Sequence, residues 1–301
     1  MRLDFHTLDV FTQSKFGGNP LAVVLGADAV EAGLMQRIAR EFNLSETVFV
    51  LRPVNPSHSA RVRIFTPAAE VPFAGHPTVG TAALLAELRA PGLGETQDAI
   101  VTLEEAIGTV RVGVRMRSGQ AVFAEFDAPR LPEDLGAAGE PDDLAPAVGL
   151  IPGEIGFENH RPSKYSAGLP FNFIPVRSLE AMARARPVME RWDAMFGPQG
   201  AAYLYCRETL HNTAQFHARM FAPGHGVPED PATGSAAAAL AAAIHRFDAP
   251  PIGEHRFTIE QGYEMGRPSI VSLSIVVDGR GLHTVRIGGH TVRVTSGTIA
   301  L

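Results

Sequence analysis

One cysteine, Cys206, stands in 301 residues. That count excludes an intramolecular disulfide, a thiolate zinc site and any mechanism needing two thiols. Its setting, AAYLYCRETL, reads as a buried strand, so an inert core thiol is expected rather than a nucleophile. No apolar run reaches the roughly 18 residues of a membrane span, and the polar start MRLDFHTLDVF lacks a signal-peptide core. The expectation is a cytoplasmic protein with no membrane partner. Lysine and arginine (26) are outnumbered by aspartate and glutamate (32) and form no run, so nucleic acid is not an expected partner. No GxxxxGK[ST] loop, GxGxxG turn or G-x-S-x-G elbow occurs, so neither a nucleotide cofactor nor serine-hydrolase chemistry is implied. His211, His217 and His225 fit no standard zinc spacing and read as surface or strand histidines; no metal is expected.

What is present is a chain with 45% hydrophobic and 19% charged residues, enough to bury a sizeable core in one large domain or two ordinary ones. Leu3 to Val10, FGGNPLAVVL, Ser45 to Leu51 and Ala60 to Thr66 read as strands, with a helix from Ala29 to Phe42 among them. An Ala/Leu-rich helix is expected from Gly80 to Ala90. A hairpin follows, in which Val110, Val112, Val114 and Met116 alternate with polar or small residues. The stretch from Pro129 to Gly153 is rich in proline, glycine and acid and reads as a boundary or connecting excursion. The expected domains are therefore 1–128 and 129–301, with the last strand able to pack back on the first. The second half resumes with strands, an Ala-rich helix from Ser235 to Arg246, and a final meander from Ser269 to Leu301.

The most telling feature is an internal match: RIFTPAAEVP at 63–72 against RMFAPGHGVP at 219–228, a constant offset of 156. The same offset pairs Ala82, Ala83, Leu84 and Ala86 with Ala238, Ala239, Leu240 and Ala242. Each copy reads strand, Pro-bounded turn, loop, Ala-rich helix, which points to duplication. The loops PFAGHPTVG and PEDPATGSA bring small residues and hydroxyls to a helix N-terminus, where unpaired N–H groups favour a carboxylate. N-capping by Thr78, Thr81, Thr233 or Ser235 accounts for the hydroxyls. It does not account for His76 and Asp230, titratable groups suited to proton transfer beside a bound anion. Glu46 opens an apolar strand, where partial burial would raise its pKa; by position alone, such a residue is more often a solvated strand end.

Taken together, DVFT with FGGNPLAVV, SETVFV, FTPAAEVPFAGHPTVGTA, EDPATGSAAAAL and QGYEMGRPS resemble the PhzF-like family of phenazine biosynthesis, related in fold to diaminopimelate epimerase. The resemblance spans nearly the whole chain in order. It implies an α+β fold of two pseudo-symmetric domains, each a barrel-like mixed sheet around a central helix, with the ligand cleft between the halves. It implies a cofactor-independent isomerase and a homodimer. It makes Glu46 the proton-moving residue, with His76, Asp230 and Ser235 as helpers and substrate ligands and with Asn19, Ser45, Gly75 and Gly234 lining the site. The related epimerases use two cysteines; this chain has Ala74 and Pro231 near those places. The expected reaction is proton movement on a small carboxylate, from one carbon to another on the same face. An epimerase using Glu46 and Asp230, or a non-catalytic metabolite-binding protein, is the alternative.

Overall fold

The computed structural model describes residues 1–90 and 96–301, in which the chain forms two compact units: Met1–Pro129 with Gly288–Leu301, and Arg130–Ile287. Elements are numbered in chain order. The first unit holds β1 (Arg2–Val10), β2 (Asn19–Val24), α1 (Ala32–Phe42), β3 (Glu46–Leu51), β4 (Ala60–Phe65), β5 (Glu70–Val71), α2 (Gly75–Arg89), β6 (Thr96–Glu105), β7 (Gly108–Arg117) and β8 (Val122–Asp127). The end of the last strand, β17 (Gly281–Ala300), returns to it, with Thr291 to Ala300 paired antiparallel to β1. Eight strands close into a barrel in the order β17–β1–β2–β3–β4–β6–β7–β8, with β8 meeting β17 again. Valines 110, 112 and 114 of β7 are buried and alternate with exposed or half-buried residues, as the two-residue period requires.

Helix α2 runs inside this barrel, and every residue from Gly75 to Ala86 is buried. A helix without a polar side can be stable only where it is enclosed all round. Gly80 is what brings the strands in: a Cβ there would lie 2.7 Å from both Leu21 Cδ2 and Val10 Cγ2. Helix α1 is amphipathic instead, laying Met35, Ile38 and Ala39 over Phe49, Leu51 and Phe65 on the outside of the sheet. It begins at Ala32 rather than the expected Ala29, because Ala27–Ala29 form a separate 3₁₀ turn. The larger correction is at α2, expected from Gly80 but starting at Gly75, so that GHPT is the helix's first turn and not a loop. Pro77 is compatible with this because N–H groups in a first turn have no partner within the helix.

The second unit contains β9 (Glu133–Ala137), α3 (Pro141–Ala147), β10 (Ser163–Ser166), β11 (Pro170–Pro175), α4 (Leu179–Arg184), α5 (Met189–Phe196), β12 (Ala202–Cys206), β13 (Phe216–Ala222), β14 (Val227–Asp230), α6 (Gly234–Phe247), β15 (Gly253–Gln261) and β16 (Ser269–Asp278). Its strands pair in the order β9–β10–β11–β12–β13–β15–β16 around α6, whose alanines 236 to 239 and Leu240 are buried. Outside, α3, α4 and α5 bury Leu144, Met182 and Trp192 in one apolar cluster. The Pro/Gly/acid-rich stretch is therefore more than a connector: β9 and most of α3's buried face, Leu144, Ala145 and Ala147, lie within it. Composition averaged those apolar residues away. Among the described residues no helix is long and apolar enough to cross a membrane.

The duplication is visible in the pairing. Strands β1–β2–β3–β4–β6–β7 and β10–β11–β12–β13–β15–β16 follow one pattern: antiparallel, parallel, antiparallel, parallel, antiparallel. Ala60 sits beside Leu103 and Phe216 beside Ile259, so both members keep the 156-residue offset. Glu104 accepts from the Val54 and Asn55 N–H groups and contacts His58 Nδ1; Glu260, 156 residues on, accepts from Leu210 and His211 N–H and contacts His217 Nδ1.

His217, a strand histidine in β13 as expected, is fully buried between Glu260 Oε1 at 2.7 Å and Glu264 Oε1 at 2.9 Å. Burial by itself lowers its pKa, but the hydrogen bonds and charges of the two carboxylates outweigh this and push it up to about 9. The unfolded value is about 6.5. The stabilising contribution is thus full below pH 6.5 and lost as pH rises through about 9, on the order of a few kcal/mol at most. Urea unfolding of wild type should show declining stability from pH 6.5 to 9.5, and His217→Gln should show a smaller decline; equal slopes would contradict the assignment.

Candidate active site

Glu46 is the first residue of β3 and half-buried, and β2 runs parallel beside it with Leu21 as its register partner. That pairing sets Asn19, fully buried at the start of β2, two residues upstream on the adjacent strand. The turn delivering Asn19 is tight: Phe11 and Phe16 adopt positive φ, and Phe16 N–H donates to Asp9 Oδ2 at 2.6 Å. Gly18, at φ 64°, leaves no room for a side chain, since a Cβ would collide with the Val10 carbonyl oxygen.

Opposite the β3 start lies the first turn of α2. His76 Nε2 stands 3.2 Å from Glu46 Oε2, close but not aligned as a hydrogen bond. Burial pushes the His76 imidazole down to about 3, so the ring is neutral near pH 7. Full burial outweighs the pull that an ionised carboxylate at that distance exerts, and the ring stays neutral. Gly75 is buried at the first helical position, and Ser45 is half-buried just before β3. The structure thus brings Glu46, His76 and Gly75 together in the first unit.

In the second unit Asp230 ends β14, is 8% exposed, and accepts from Thr233 Oγ1 at 2.6 Å. Gln261, at the end of β15, holds this turn from behind: its Nε2 donates to the Asp230 carbonyl at 2.8 Å and to Thr233 Oγ1 at 3.1 Å, and its Oε1 accepts from Thr233 N–H at 3.2 Å. Gly234 is buried and Ser235 half-buried in the first turn of α6. The expected capping hydroxyls do something else. Neither α2 nor α6 has a side-chain cap; Thr78 donates back to the Ala74 carbonyl and Thr233 to Asp230. Both helices therefore keep uncapped N–H groups beside a titratable side chain, an arrangement that favours an anion.

Sequence reasoning missed Gln261, although it lies in the quoted motif QGYEMGRPS and the 156-residue offset pairs it with Glu105. Cys206 is buried, with its thiol pushed up to about 12 mainly by burial, and takes no part. Glu158, His160 and Asp248 approach one another closely enough to offer a cation three ligand atoms. Arg207 already serves there, its guanidinium bonded to Asp248 and 3.7 Å from Glu158. A depression over Ile100 and Phe123 contains none of the candidate site residues.

The family model for phenazine biosynthesis-like proteins matches residues 8–297. The chain belongs to this family. An uncharacterized isomerase of Mesorhizobium japonicum is 52% identical over 97% of this chain and 96% of its own length. The trans-2,3-dihydro-3-hydroxyanthranilate isomerase of Pseudomonas chlororaphis is 34% identical over 98% of both chains. A Bacillus anthracis phenazine biosynthesis protein of the PhzF family has the same fold, with a TM-score of 0.89, 26% identity and full coverage of both chains. This PhzF-like protein is an isomerase with the diaminopimelate epimerase-like fold.

The neutral His76 can be checked directly. Imidazole ¹⁵N shifts should report an uncharged His76 ring from pH 8 down to pH 5, whereas an exposed histidine is about half protonated at pH 6.5; a protonated ring at pH 6.5 would contradict the buried geometry.

Proposed function

We propose that this PhzF-like isomerase moves a proton on a small unsaturated carboxylate, with Glu46 as the acid/base group and without a cofactor. What carries the reading is the Glu46 carboxyl lying 3.2 Å from a buried imidazole whose pKa burial has lowered. An imidazolium there would hold Glu46 as a weak base; a neutral ring leaves it able to take a carbon-bound proton. The substrate carboxylate meets uncapped helix N–H groups, which also stabilise the enolate or dienolate that forms when the proton leaves. Glu46, now protonated, returns the proton to another carbon on the same face, and the double bond shifts with no net change in charge.

In this reading His76 and Asp230 set the charge of the site, and Asn19, Ser45, Gly75, Gly234 and Ser235 hold the substrate. The Pseudomonas relative, by its name, isomerises trans-2,3-dihydro-3-hydroxyanthranilate, so an amino-substituted cyclic diene acid is the substrate class we favour. We also propose a homodimer, as the family resemblance implies, and a cytoplasmic location.

The first probe is that compound, alongside a panel of cyclic and acyclic unsaturated amino acids followed by NMR. Wild type should turn over at least one of them, and Glu46→Gln should be slower by about 10² to 10⁴, the usual contribution of a positioned acid/base group. Full turnover by Glu46→Gln would end the proposal.

A further inference from the structure

Glu105 is a buried carboxyl outside the chemistry described so far. It closes β6, is 8% exposed, and its Oε1 lies 2.8 Å from Thr78 Oγ1, while its Oε2 has no hydrogen-bond partner among the described residues. Thr78 Oγ1 also lies 2.9 Å from the carbonyl of Ala74, the residue that caps α2 immediately before Gly75 and His76. In the second half, Gln261 stands at the matching position, 156 residues on and last in β15, and grips the Asp230 turn with three hydrogen bonds. Both residues follow the matched Glu104 and Glu260, which tie down other loops.

We propose that Glu105 is a positioning residue of the proton-transfer site, fixing the turn that carries His76 through Thr78 as Gln261 fixes the turn that carries Asp230. The inference rests on the reading of Glu46 and His76 given above. A threonine hydroxyl has one proton and can donate to one acceptor at a time. With Glu105 protonated, its O–H donates to Thr78 Oγ1 and Thr78 donates to Ala74, an unbroken relay onto the cap of α2. With Glu105 ionised, its oxygen takes the Thr78 proton and the Ala74 carbonyl loses that hydrogen bond.

Burial pushes the Glu105 carboxyl up to about 8, opposed only by the Thr78 hydrogen bond, so the protonated relay prevails at neutral pH. Of the charged groups on the strands beside β6, Arg61 of β4 and Arg111 of β7 are exposed, on the side away from the buried Glu105. Glu104 and His58 pair with each other at 2.9 Å, and His76 faces Glu46 from the same turn as Thr78. Gly108, the register partner of Glu105 on β7, carries no charge.

The experiment uses the full chain with two readouts. NMR shifts of Thr78 and His76, followed from pH 6 to 9.5, should show a transition near pH 8 in wild type and none in Glu105→Gln. On any substrate found above, Glu105→Ala should lose at least about tenfold in kcat with KM changed less. Glu105→Gln should recover most of that rate and lack the wild-type decline above pH 8. A transition that is absent from wild type, or that persists in Glu105→Gln, overturns the proposal, as does full kcat in Glu105→Ala. Should Glu105→Ala not fold, the titrations of the other two proteins decide alone. If instead Glu46→Gln keeps turnover, the proton-transfer reading falls, while the titration still decides whether Glu105 governs the His76 turn.

Discussion

Enclosing a helix on every side leaves it nowhere to put polar groups except at its ends. Helix α2 is buried from Gly75 to Ala86, and α6 over most of its length, so beyond their first turns the buried residues of both are alanine, leucine, valine, isoleucine and glycine, with Thr81 the exception. The ends cannot be made apolar, because the first turn of any helix presents N–H groups that find no partner within it. In most helices a capping hydroxyl answers them; here Thr78 and Thr233 are turned to other acceptors. The consequence is a pair of first turns rich in donors, each with a titratable side chain close by. The barrel thus sets where these donors gather, and the strands set which side chains lie beside them.

The two halves share a frame but differ in charge. Their strand order, parallel and antiparallel sense, and the Glu104 and Glu260 braces repeat at a single offset. At the helix starts the repeat breaks. The first half supplies a carboxyl and a neutral imidazole 3.2 Å apart, and the second an aspartate held by a threonine hydroxyl and a glutamine amide. A symmetric racemase needs equivalent groups on both sides of one carbon. The two turns do not supply equivalent groups.

Much of the frame was legible in the sequence. Alternation in β7 and the apolar strands followed the two-residue period, and the offset of 156 announced the duplication before any pairing was known. The barrel closure was not legible from pattern, because the return of β17 to β1 joins residues nearly 300 apart, and periodicity carries no partner information. The start of α2 was misplaced by five residues because glycine and proline read as breakers, whereas in a first turn neither costs a hydrogen bond. His217 looked like an ordinary strand histidine; its two carboxylate partners lie 43 and 47 positions away. Glu46 on its own was an ordinary strand-start residue. Family resemblance made it a candidate, and the distance to His76 supplies the physical reason.

In the proposed reaction one carboxyl, Glu46, carries the proton out and back on a single face. A reaction run in D₂O and stopped at partial conversion, with deuterium located by NMR in product and in recovered substrate, tests it most directly. Transfer by Glu46 alone predicts product that retains part of the substrate's own hydrogen at the new position, with the configuration of recovered substrate unchanged. Recovered substrate that is deuterated and stereochemically scrambled would contradict the account and favour opposed action by Glu46 and Asp230.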